Sequence, residues 1–78
     1  MAAKAFVLIE TVAGKSNLVV AAIRQLGEER IKSVDLVTGP YDVIAVLEEE
    51  TLPEIGDLVT DKINSIAGIS RVVACLAI

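Results

Sequence analysis

A chain of 78 residues is sized for one domain with a single core, and a single domain over residues 1–78 is the expectation. Hydrophobic residues make up 54% of it and aromatic ones only 3%, so its interior must be built from Val, Ile, Leu and Ala, with an apolar surplus that needs cover. The net charge is −4 and the seven basic residues are scattered, which excludes the cationic patch of a direct nucleic-acid binder.

No apolar run approaches the roughly 20 residues of a membrane span, and the N-terminus lacks the long apolar region of a signal peptide. A cytoplasmic location, with no membrane partner, is the default. Residues 4–12, KAFVLIETV, read as a first strand, which Gly14 breaks. KSNLVVAAIRQL then places Leu18, Val19, Ala22, Ile23 and Leu26 on one helical stripe, with Ser16 as N-cap and Gly27 after the last turn. IKSVDLVT, residues 31–38, is a second strand. After Gly-Pro-Tyr-Asp, DVIAVLEEE is a third.

Thr51 and Glu54 then form a capping box with Pro53 in the opening turn. Ile55, Leu58, Val59, Ile63 and Ile66 mark the apolar stripe of a second helix that ends at Gly68. ISRVVACLAI is the fourth strand. The order βαββαβ, whose halves both run helix end, glycine, isoleucine, polar residues, valine, predicts an α+β, ferredoxin-like fold: a four-stranded antiparallel sheet with two helices on one face.

Such a sheet should alternate apolar and polar residues if its other face meets water. It does not. Phe6 and Leu8 oppose Ala5, Val7 and Ile9; Ile44 and Val46 oppose Val43, Ala45 and Leu47; Val73, Cys75 and Ala77 oppose Val72, Ala74, Leu76 and Ile78. The apolar face this leaves is far larger than the few hundred Å² a monomer usually exposes. At about 25 cal/mol per Å², covering it offers roughly 10 kcal/mol before the entropic cost of association. A homo-oligomer, at least a dimer pairing sheet against sheet, is expected.

Catalytic equipment is sparse. There is no histidine, Cys75 has no base beside it and reads as a small core side chain, and the serines lack an activating partner. Glu48, Glu49 and Glu50 alternate in direction on a strand, which fits a solvated strand end better than a metal site. No cofactor, metal or catalytic residue is expected. Gly39-Pro40-Tyr41-Asp42 remains. It reads as a hairpin turn, with Gly and Pro setting the dihedrals and Asp bonding to nearby amides. It also reads as a binding feature, because a lone tyrosine beside a carboxylate and open amides suits an amino-acid zwitterion.

The segments VDLVTGPYDVIAVLEEE and LPEIGDLVTDKINSIAGISRVV resemble the C-terminal effector (RAM) domain of the Lrp/AsnC regulators. Val37, Thr38, Gly39, Tyr41 and Asp42 fit that family's Val-Thr-Gly-x-Tyr-Asp segment, with Pro40 in the variable place. Ile63, Ile66, Gly68, Ile69 and Arg71 follow its later spacing. The resemblance implies a ferredoxin-like domain that dimerises through its sheet as a dimeric α+β barrel and assembles further into rings or octamer-like particles. It implies an amino-acid effector bound at contacts between dimers, against Thr38, Gly39, Pro40, Tyr41 and Asp42. Gly39 would give close backbone approach, Tyr41 a pocket wall and Asp42 a polar anchor.

Two departures bear on function. Full-length members carry a DNA-binding helix-turn-helix, whereas this chain starts at the effector domain's first strand, so a stand-alone module co-assembling with DNA-binding relatives is expected. Many relatives also have threonines where Val72 and Ala74 stand, which points to a more apolar ligand or to none. Two other readings fit the element order: a small dimeric α+β-barrel enzyme, and an ACT-type domain whose ligand sits near TVAGKSN.

Overall fold

The computed structural model describes residues 3–78. Its elements run β1 (Ala3–Thr11), α1 (Ser16–Gln25), β2 (Ile31–Leu36), β3 (Val43–Glu49), α2 (Leu52–Leu58), a π-helical turn (Val59–Ile63) and β4 (Ile69–Leu76). The four strands form one antiparallel sheet in the order β2-β3-β1-β4. This is the expected α+β, βαββαβ arrangement. The strands are one or two residues shorter at some ends than their apolar runs predict.

Register fixes the faces. Opposite partners share a face, so Ile9 with Val43, Val7 with Ala45 and Ala5 with Leu47 form the floor under the helices. These residues have no solvent exposure. Val19, Val20 and Ile23 of α1 and Ile55, Leu58 and Ile63 of the second helical segment pack onto them, with Val34 completing the core. Aliphatic branching serves both roles here: β-branched residues suit the pleated floor, and the helices contribute Val, Ile and Leu from above.

Several local expectations need correction. The buried stripe of α1 is Val19, Val20 and Ile23; Leu18 is 60% exposed and Leu26 is also exposed. The stripe is therefore rotated about the helix axis, because a nearly unbroken run from Leu18 to Ile23 does not fix its own phase. Ser16 does not cap α1. Lys15 occupies the N-cap without a side-chain bond, and the Ser16 hydroxyl lies 2.7 Å from that of Thr11. The Thr51 cap forms as expected: its oxygen accepts from the Glu54 amide, and its hydroxyl donates to the Glu54 carboxylate at 2.9 Å.

Past Leu58 the helix widens, and the Asn64 amide donates to the Val59 carbonyl at 2.8 Å. This wider turn brings Ile63 into the core beside Leu58. Cys75 is exposed on the sheet face away from the helices, not in the core. Glu49 is not solvated: it is 6% exposed and its carboxylate accepts from Arg30 at 2.6 Å. On the alternating strand it points to the helix side, where Arg30 reaches it from the α1–β2 connection.

Candidate functional site

At one end of the sheet the pairing of β1 with β3 stops at Ile9 opposite Val43. Beyond that point the Thr11 amide needs a new acceptor. The Asp42 carboxylate provides it: Oδ2 accepts from the Thr11 amide at 2.8 Å and from the Thr11 hydroxyl at 3.3 Å. The Asp42 main chain is fixed as well, its amide donating to the Ile9 carbonyl and its carbonyl accepting from the Val37 amide, each at 2.9 Å. The four residues between Val37 and Asp42 are thus held as a closed loop against the end of β1.

Within that loop Thr38, Gly39 and Pro40 are exposed, while Tyr41 and Asp42 are half-buried. Gly39 has φ +143°, a backbone conformation that L side chains rarely adopt, and open space lies where a Cβ would stand. The five expected residues therefore lie together in one turn. Asp42 is tied into the fold through Oδ2, whereas Oδ1 makes no hydrogen bond among the described residues. Sequence reasoning misses Thr11 and Ser16 as part of this end. Their only sequence signal is a pair of hydroxyl residues flanking the Gly14 connection.

The sheet face away from the helices carries a second feature. Register aligns Ile44, Leu8 and Val73 in one row and Val46, Phe6 and Cys75 in the next. Phe6 is 39% exposed and Cys75 is exposed, while Leu8, Ile44, Val46 and Val73 are partly so. Polar residues bound this apolar grid. Lys4 stands opposite Glu48 at one end, with its ammonium 5.2 Å from the Phe6 ring centre. Arg71 pairs with Glu10 at 3.3 Å at the other, and Ser33 and Asp35 border it along β2.

Two open concavities, each of about 430 Å³, lie elsewhere and include none of residues 38–42. One runs between the end of α1 and β2; the other lies around Arg30 and the acidic end of β3. There Arg30 donates two bonds to Glu28 and one to Glu49, all at 2.6 Å. The bonds from Arg30 hold the Glu28 carboxyl below its ordinary value, and the same carboxylates raise the Arg30 guanidinium. This cluster locks the α1–β2 connection to β3. Among the described residues no group of three or more His, Cys, Asp and Glu could hold a metal, and no helix is long and apolar enough to cross a membrane.

Residues 4–78 match the family model of the Lrp/AsnC ligand binding domain. The fold superposes on TTHA0845 from Thermus thermophilus with a TM-score of 0.88 and 33% identity, covering 97% of this chain and 92% of that one. It is similar to the hypothetical protein PHS023 from Pyrococcus horikoshii at 32% identity and a TM-score of 0.84, covering 100% and 90% of the two chains. The transcriptional regulator NMB0573 of Neisseria meningitidis, in its complex with L-Met, shares the fold at 16% identity and a TM-score of 0.81. That alignment covers 97% of this chain and 49% of the regulator, so the chain spans about half its length. No curated protein sequence matches. The match from the first strand to the last residue, together with the Thr38–Asp42 turn in its expected place between β2 and β3, establishes that the chain belongs to the Lrp/AsnC ligand-binding domain family.

Proposed function

We propose that the chain is a cytoplasmic, amino-acid-sensing oligomeric module that modulates transcription indirectly, by co-assembling with DNA-binding members of its family, and that it catalyses no reaction. Thr38, Gly39, Pro40, Tyr41 and Asp42 form one wall of the effector site. The observation that carries this reading is the state of Asp42, which is anchored through one carboxylate oxygen while the other makes no internal bond. A carboxylate so oriented accepts from a ligand ammonium, and the exposed loop backbone offers donors for a ligand carboxylate. Tyr41 supplies a flat half-buried wall, and Gly39 leaves room for close approach. The complex of the Neisseria regulator with L-Met supports an amino acid as the class of ligand.

Sensing and assembly are linked by geometry. The grid of Leu8, Phe6, Ile44, Val46, Val73 and Cys75 has the apolar centre and polar border of a protein–protein interface. A second copy laid sheet to sheet covers it and forms the dimeric α+β barrel, and contacts between such dimers complete the pocket against the turn. Calorimetric titration with each of the twenty L-amino acids, alongside solution mass with and without them, tests both halves. Absence of heat from every amino acid removes the sensing role, and a monomeric mass removes the assembly.

A further inference from the structure

The Thr11 and Ser16 hydroxyls serve no purpose in the reading above, yet they join two loops that the sequence offers as separate ligand sites. Ser16 Oγ lies 2.7 Å from Thr11 Oγ1, and Thr11 Oγ1 lies 3.3 Å from Asp42 Oδ2. Each hydroxyl has one proton to donate. The carboxylate cannot donate when ionised, so the arrangement that satisfies all three groups has Ser16 donating to Thr11 and Thr11 donating to Asp42. A chain of donors that ends on a negative charge is polarised along its length, and each bond strengthens the next. The Thr11 amide adds a second donor to the same oxygen at 2.8 Å.

We infer that Thr11 and Ser16 are positioning residues for the effector turn, forming a relay from the first turn of α1 that orients the Asp42 carboxylate. The relay makes the Gly14 connection and the Gly39 turn one mechanical unit, to which the turn entering β4 is also tied: the Val12 amide donates to the Gly68 carbonyl at 2.8 Å. It commits Oδ2 to the fold and turns Oδ1 outward. This inference deepens the ligand reading of the turn and, for its ligand-binding consequence, rests on it. Its structural consequence does not. When the relay is cut, the carboxylate and the adjacent Tyr41 gain freedom even with no ligand present.

The chain carries one tyrosine and no tryptophan, so its intrinsic emission reports on this turn alone. The experiment compares Thr11→Val, Thr11→Ser and Ser16→Ala with the parent protein below the melting transition. Acrylamide quenching of Tyr41 and hydrogen exchange of the Asp42 amide are read first, and binding of the twenty L-amino acids second. Thr11→Val and Ser16→Ala are expected to raise quenching and speed exchange, and Thr11→Ser to restore parental behaviour. Any amino acid that binds the parent should bind Thr11→Val roughly 3–10-fold more weakly, the size of one lost hydrogen bond, with Thr11→Ser recovering the affinity.

Parental quenching and exchange in Thr11→Val and Ser16→Ala overturn the inference, even if the variants melt earlier, because a merely structural role would shift melting without freeing Tyr41. If no amino acid binds the parent while Tyr41 is freed in the variants, the relay stands and only the ligand reading falls. Should Thr11→Val fail to fold, Ser16→Ala carries the same comparison, since alanine is the best residue for a helical position.

Discussion

Arg30 and Glu49, nineteen residues apart, meet at 2.6 Å, and the glutamate is the one charged side chain found buried among the described residues. The contact ties the segment after α1 to the end of β3, and a main-chain bond from the Glu48 amide to the Arg30 carbonyl at 2.9 Å runs beside it. A buried carboxylate is tolerable only while its partner is present. Arg30→Met should therefore lower the urea midpoint clearly. Adding Glu49→Leu to Arg30→Met should recover most of the loss, because the pair is then replaced by apolar groups. A double variant no more stable than Arg30→Met would refute the buried-charge account.

Glu28 gives the same cluster a pH signature. The hydrogen bonds from Arg30, outweighing desolvation and helped by the charges of Arg30 and Lys62, lower its pKa below the ordinary 4.5. A group with a folded pKa below its unfolded one binds its proton more readily when unfolded, so its stabilisation is present above about 4.5 and is lost as the pH falls through the lowered value. Denaturation midpoints followed from neutral pH into acid should fall less steeply in Glu28→Gln than in the parent. Parallel acid limbs would show that Glu28 does not contribute.

Gly68 is the position where a methyl group should do most harm. Its φ is +97°, and a Cβ there would stand 3.1 Å from Lys15 Cβ and 3.2 Å from Val19 Cγ2. Gly68→Ala thus combines left-handed strain with overpacking against α1, and about 2–4 kcal/mol of lost stability is expected. Gly39→Ala meets open space, so only the backbone term applies, at about 1–2 kcal/mol. Equal losses in the two variants, measured by chemical denaturation, would contradict the contact with Lys15 and Val19.

These residues also show what a sequence can and cannot disclose here. The division of β1 and β3 into two side-chain sets is legible because strand residues alternate in direction, but which set faces the helices is not, since both sets are apolar. The Thr51 cap and the Val37–Asp42 turn are legible because both are closed by partners a few residues away. Contacts made at long range leave no local mark. Nothing near Glu49 signals Arg30, and nothing near Asp42 signals Thr11, which is 31 residues distant in the chain. The phase of α1 is illegible for another reason: an almost uninterrupted apolar run has no polar side to orient it. Cys75 misleads because an apolar run at a strand end implies burial without saying against what.

That last ambiguity yields a direct measurement. Cys75 lies beside Phe6 and Val46 in one row of the outer sheet face and is exposed on the isolated chain. If a second copy covers that face, alkylation of the thiol should be slow at high protein concentration and should quicken on dilution. Val46→Lys places an ammonium within the grid, beside Phe6, where a partner laid on that face would have to strip it of water, a cost of several kcal/mol. The variant should keep the parental circular dichroism, because Val46 faces away from the helices, while its mass falls to that of one chain and its Cys75 reacts rapidly at every concentration. Rapid alkylation of the concentrated parent protein would instead mean that this face stays open, and the apolar surplus of the chain would then have to be covered through the exposed Leu18, Leu36 and Leu52 on the helix side.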